Sequence, residues 1–179
     1  MDNNDQNNYI ARKKNRLVKY DYSKPGGYFI TICTNKKENT FGSITDGEIK
    51  LSYLGNLARN NWSSIAEHFP MVEVGEFVIM PNHLHGILYF QNNFPSIGMN
   101  DNNLPVTIPK ISNLKDVVGS FKMSVTREVR KLRPGLEVWQ RNYYDHVIRN
   151  EQDEQRIVEY IQMNPIRWAD DDENQKRLK

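Results

Sequence analysis

Val72-Glu73-Val74-Gly75-Glu76-Phe77-Val78-Ile79-Met80, then Pro81-Asn82, then His83-Leu84-His85-Gly86-Ile87-Leu88-Tyr89-Phe90 is the stretch on which the fold turns. β-Branched and aromatic residues fill both flanks, the composition of buried strands. Pro81-Asn82 between them is turn or bulge chemistry. The stretch therefore predicts two neighbouring strands, with two histidines at their tight end. In a strand, residues i and i+2 project from the same face. His83 and His85 then point together, and Leu84 points to the opposite face.

Working outward toward the N-terminus, Leu54, Leu57, Trp62 and Ile65 recur at helical spacing. They predict a helix over about 52–68, with Ser52 as its N-cap and Pro70 as its stop. Asp46-Gly47, between short alternating segments of 41–51, predicts a small hairpin. Tyr28-Phe29-Ile30-Thr31-Ile32-Cys33-Thr34 predicts a first, central strand. Residues 1–20 read as a flexible basic arm: Asn- and Asp-rich at first, then carrying Arg12, Lys13, Lys14, Arg16 and Lys19.

Toward the C-terminus, residues 91–112 are polar and hold three prolines, a loop rather than an element. Residues 113–132 predict a helix. Leu114, Val117, Val118, Phe121, Val125 and Val129 form its apolar side, and Lys115, Lys122, Arg127, Arg130 and Lys131 its basic side. Pro134-Gly135 ends it. Residues 138–149 read as extended and 151–163 as a final helix closed by Pro165; from Ala169 the chain reads as a charged, frayed tail. The resulting β-α-β-β-α-β order is that of an α+β, ferredoxin-like antiparallel sheet with helices on one face. The hairpin and last helix are additions to it. The division expected is an arm (1–20), a single domain (21–168) and a tail (169–179).

One cysteine in 179 residues, Cys33, excludes an internal disulfide framework and a cysteine-based zinc site. It fits a reducing, cytoplasmic setting. No apolar run approaches the ~20 residues of a membrane span, and the polar, basic N-terminus lacks the apolar centre of a secretory signal. A net charge of +2 does not itself argue for nucleic acid. The clustering of Arg12, Lys13, Lys14 and Arg16, and of Lys115, Lys122, Arg127 and Arg130, suits phosphate contacts, though a solvated helix face reads the same way.

In the last helix Ile157, Val158 and Ile161 form the core stripe. Tyr160 and Asn164, four residues apart, share another face. On pattern alone the histidine pair also reads as hydrogen-bonded strand residues, and Tyr160 as a packing residue. Tyr22, Tyr28, Trp139 and Tyr143 can stack on bases or pack in a core.

Met80-Pro81-Asn82-His83-Leu84-His85-Gly86, followed far downstream by Glu159-Tyr160-Ile161-Gln162-Met163-Asn164-Pro165, resembles the single-tyrosine HUH transposases. HUH denotes His, a bulky hydrophobic residue, His. Within that superfamily the chain is most similar to the REP-associated tyrosine transposases and their insertion-sequence relatives. Tyr28–Cys33, Val117–Lys122 and Trp139–Arg149 support the likeness, which runs from about Asp21 to Trp168. It implies His83 and His85 as ligands of Mg²⁺ or Mn²⁺, and Tyr160 as the nucleophile. Insertion-sequence relatives carry a metal-ligating Gln four residues after the tyrosine; Asn164 stands there, with the same amide oxygen on a shorter arm. The resemblance further implies cleavage and rejoining of single-stranded, hairpin-containing DNA through a 5′-phosphotyrosine, and it admits a homodimer. Tyr143 and Tyr144 do not match the tyrosine motif, and His146 matches no ligand. Two other readings compete. A non-catalytic ferredoxin-like nucleic-acid-binding module would rely on sheet aromatics, and a metal-dependent phosphoesterase would use water. No general base for Tyr160 is legible in the sequence.

Overall fold

The computed structural model describes residues 21–22, 24–91, 113–171 and 173–174. The arm with Arg12, Lys13, Lys14 and Arg16, and the 92–112 excursion, lie outside the described residues. Four strands form one antiparallel sheet: β1 (Gly26–Cys33), β4 (Val72–Ile79), β5 (His83–Phe90) and β6 (Tyr144–Val147), in the spatial order β4-β5-β1-β6. Numbering these four in chain order, the sheet reads 2-3-1-4. The first strand is central, and the helical crossovers join strands that are not neighbours, the split arrangement expected. The Asp46-Gly47 hairpin is β2 (Gly42–Thr45) with β3 (Glu48–Leu51), a separate two-stranded sheet. Both turn residues have positive φ, Asp46 at 52° and Gly47 at 78°, as such a turn requires.

Helix α1 (Tyr53–Ser63) begins at Ser52, whose hydroxyl accepts the Gly55 N–H. The single helix expected through 68 divides at Ser64 (φ −86°, ψ 5°) into α1 and a short α2 (Ile65–His68). Ser63 and Ser64, whose hydroxyls compete for the backbone, stand at the break. Helix α3 (Leu114–Leu132) opens with an Asn113/Asp116 capping box and buries all six residues of its apolar stripe. Helix α4 (Glu151–Met163) carries Tyr160 and starts at Asn150, whose side chain accepts the Asp153 N–H.

The strand alternation divides the molecule. Tyr28, Ile30 and Ile32 of β1 and Leu84 and Leu88 of β5 pack with Trp62 of α1 and Val117, Phe121 and Val125 of α3 in the main core. The alternate residues, Phe29 of β1 and Ile87 of β5, meet Ile157 and Ile161 of α4 on the other face. Thus α1 and α3 cover one face and α4 the other. Gly86 lets the first face close, since a Cβ there would lie 2.6 Å from the Trp62 ring.

The frayed tail expected from Ala169 does not hold for three of its residues. After a 3-10 turn at Trp168–Asp170, Asp171, Glu173 and Asn174 are all buried. They are held by specific partners: Lys37 Nζ lies 2.7 Å from Glu173 Oε2, and Asn174 Nδ2 donates to the Trp168 carbonyl at 2.8 Å.

Candidate metal centre and nucleophile

His83 and His85 occupy one face of β5, ring centroids 4.3 Å apart, both almost fully buried. Leu84 between them lies in the main core on the opposite face, as the strand period requires. Each imidazole is oriented from behind. Asn82 Nδ2 donates to the carbonyls of Lys37 (3.1 Å) and Glu173 (2.7 Å), so its Oδ1 is the atom facing His83 Nδ1 at 2.8 Å. That oxygen can only accept; His83 therefore carries a proton on Nδ1, and Nε2 is the nitrogen its neutral form would offer to a metal. His85 Nδ1 lies 2.8 Å from Thr31 Oγ1, its cross-strand partner in the β1–β5 register. Fixing one ring nitrogen so that the other is left as donor atom is the second-shell arrangement of metal-ligating histidines.

Helix α4 brings Tyr160 to this pair within the same chain. Its hydroxyl is 3.2 Å from His85 Nε2, and Phe29 stacks on His85 and meets Tyr160 edge-on. Asn164, one turn later at the helix end, is 2% exposed. Its Nδ2 donates to Asp171 Oδ2 at 2.9 Å, an orientation the carboxylate imposes, because the reverse would set oxygen against oxygen. The Asn164 Oδ1 is buried and has no hydrogen-bond partner among the described residues. A buried amide oxygen left in this way is costly by about 1–3 kcal/mol; a cation would satisfy it. Two imidazoles and an amide oxygen are a donor set suited to a divalent ion.

Asp171 joins the cluster. One carboxylate oxygen of Asp171 and one ring nitrogen from each of His83 and His85 lie within 4.8 Å of one another. Sequence patterning does not single out Asp171, because Asp170-Asp171-Asp172-Glu173 reads as a solvated acidic run. The nearest signal is Trp168, a large apolar residue just before that run, whose ring stands 6.0 Å from His83.

Other candidates fall elsewhere. His146 Nε2 lies 2.9 Å from Asp153 Oδ2, and Tyr144 sits in edge strand β6; neither belongs to the cluster. Burial would raise the Asp153 carboxyl, but hydrogen bonds from His146 and the Arg149 N–H outweigh it and hold it below its ordinary value. Tyr28 is fully buried, and Trp139 packs on Phe41 and Phe121. Among the described residues the aromatics of the sheet are buried or, as for Phe77, Tyr89 and Tyr144, half-buried.

On α3, Lys115, Arg127 and Arg130 are exposed. Lys122 is turned inward: its Nζ donates to the carbonyls of Gln140, Arg141 and Asn142 at 2.7, 3.4 and 3.2 Å. Burial lowers its ammonium to about 8, still charged at neutral pH. Lys122, Arg127, Arg130, Lys131 and Arg141 line a groove of about 770 Å³.

No family model matches the chain. It is 42% identical over 168 residues to an uncharacterized protein of Haemophilus influenzae, spanning 89% of this chain and 91% of that one. It is 26% identical over 153 residues to a protein of the same organism named a REP-associated tyrosine transposase, spanning 82% of this chain and 74% of the relative. Among solved structures, a REP-associated tyrosine transposase bound to a REP hairpin superposes with a TM-score of 0.54 at 18% identity, covering 86% of this chain and 74% of that one.

Proposed function

We propose that this chain acts as a REP-associated tyrosine transposase, cleaving and rejoining hairpin-containing single-stranded DNA through a phosphotyrosine at Tyr160, a reading supported by its likeness to a relative of that name and to the fold of a solved one. The observation that carries the reading is the meeting of Tyr160 with His85 across the sheet, at 3.2 Å, in a chain whose two strand histidines are both pre-oriented. His83, His85 and Asn164 would hold Mg²⁺ or Mn²⁺. When bound, the ion supplies Lewis-acid polarisation of the scissile phosphate.

The chain's own residues do the rest. The Tyr160 oxygen gives up its proton as it attacks phosphorus; the bond from phosphorus to the 3′-oxygen breaks and that oxygen takes up a proton, leaving a 5′-phosphotyrosine and a free 3′-OH. The phosphodiester energy stays in the tyrosyl ester, so another 3′-OH can reverse the step and join strands. His85 Nε2 has one lone pair. Accepting the Tyr160 hydroxyl and ligating an ion are therefore alternative states of that nitrogen. Phe29, stacked on His85 and edge-on to Tyr160, packs the two together. Lys115, Arg127 and Arg130, with the arm residues Arg12, Lys13, Lys14 and Arg16, supply phosphate contacts. Lys122 contributes by holding the 140–142 segment at the groove.

The test is a labelled single-stranded hairpin oligonucleotide incubated with protein and Mn²⁺ or Mg²⁺ and resolved under denaturing conditions. A covalent adduct is expected from wild type and none from Tyr160→Phe. Cleavage retained by Tyr160→Phe would instead indicate a water-using phosphoesterase, and binding that is indifferent to metal and never cuts would indicate a non-catalytic module.

A further inference from the structure

We propose that Asp171 is a carboxylate ligand of the divalent ion, so that the C-terminal turn is part of the metal site rather than an appendage. The inference rests on the reading of His83 and His85 as a metal pair and adds a ligand that the motifs do not contain.

Spacing is the first argument. Ligands about 2.1 Å from one ion stand about 3 Å apart when adjacent and about 4.2 Å apart when opposite. An oxygen of Asp171 and one nitrogen of each histidine already lie within 4.8 Å of one another. Charge is the second. Asp171 is 7% exposed, and among the described residues no cationic side chain lies within ion-pair distance of it. Its hydrogen bonds come from neutral donors, the Asn164 amide at 2.9 Å and the Glu173 N–H at 2.6 Å. A buried carboxylate needs a counter-charge, and a divalent ion shared with the two histidines would supply it. The Asn164 Oδ1, without a hydrogen-bond partner among the described residues and on the same amide that holds Asp171, is an independent sign of an electrophile at this place.

The carboxylate is also held by the network that orients the first histidine. Asn82 accepts from His83 through Oδ1 and donates through Nδ2 to the Glu173 carbonyl; Glu173 donates its N–H to Asp171 and pairs with Lys37. His83, Asn82, Glu173 and Asp171 thus form one connected unit. Through Asp171, metal binding and the seating of residues 168–174 become thermodynamically linked, each favouring the other.

Titration calorimetry of the full chain with Mn²⁺, without DNA, tests this. Wild type should bind one ion, and His83→Ala none. Asp171→Asn keeps shape and hydrogen-bonding capacity but loses charge; it should bind at least about tenfold more weakly. Without metal its Tm should equal or exceed that of wild type, because a buried charge is gone, while its gain in Tm on adding Mn²⁺ should shrink. In unmutated protein, Mn²⁺ should slow amide hydrogen exchange across 168–174. Wild-type affinity in Asp171→Asn, or exchange there unchanged by Mn²⁺, overturns the inference; with His83→Ala still unable to bind, the metal reading survives that result. Equal Mn²⁺ binding by wild type and His83→Ala removes the metal reading, and this inference with it.

Discussion

His85 is the residue where the competing demands meet. Thr31 holds one of its nitrogens, and Tyr160 contacts the other at 3.2 Å. If ion and hydroxyl share that lone pair, removing the hydroxyl should favour the ion. Tyr160→Phe is expected to bind Mn²⁺ about two- to tenfold more tightly by calorimetry while forming no DNA adduct, the increment of one hydrogen bond. A weaker-binding variant would mean that the tyrosine assists the ion. Asp153 offers a separate residue-level test. Its carboxyl is held below its ordinary value, so it stabilises the fold above the unfolded-state pKa of about 3.9, and that stability is lost as pH falls through the lower folded value. Asp153→Asn should therefore be less stable than wild type at pH 7, and the gap in urea midpoint should close below about pH 4.

Among the elements, β5 and α3 carry the most consequence. Strand β5 must present histidines to one face and close packing to the other, and Gly86 is the position where α1 leaves no room for a side chain. Gly86→Ala should cost about 1–3 kcal/mol in denaturant unfolding by forcing Trp62 aside. Helix α3 shows two kinds of basic residue on one face. Arg127 is exposed, whereas Lys122 clasps three carbonyls of the 140–142 segment. Arg127→Ala should weaken DNA binding uniformly and reduce the slope of log K against log salt by about 1, with folding stability unchanged. Lys122→Ala should instead lower folding stability by about 1–3 kcal/mol. An Arg127 effect independent of salt would remove α3 from the DNA interface.

At the scale of the whole molecule, one chain brings its own Tyr160 to its own His85, so the proposed reaction is expected to proceed with the tyrosine and the histidine pair of a single protomer. Mixing His83→Ala with Tyr160→Phe should restore no adduct, and adduct formation per enzyme should not depend on protein concentration; recovery on mixing would show that subunits exchange their tyrosine helices. Most of this architecture is legible in the chain. Alternation over 72–90 determines the strand pair and the shared face of His83 and His85, and helical periodicity determines the stripe of α3 and the limits of α4, because these are local consequences of backbone geometry. Family likeness, rather than periodicity, singles out Tyr160 and Asn164. Three things were decided by tertiary structure alone: that α4 crosses to the face opposite α1 and α3 and so meets the histidines, that Lys122 turns inward, and that Asp171 enters the site. An acidic run reads as solvated until distant groups bury it. Here those groups are Lys37 and Asn82, which hold Glu173, and Asn164, which holds Asp171, up to 136 residues away along the chain (173 − 37), and no local pattern records such contacts.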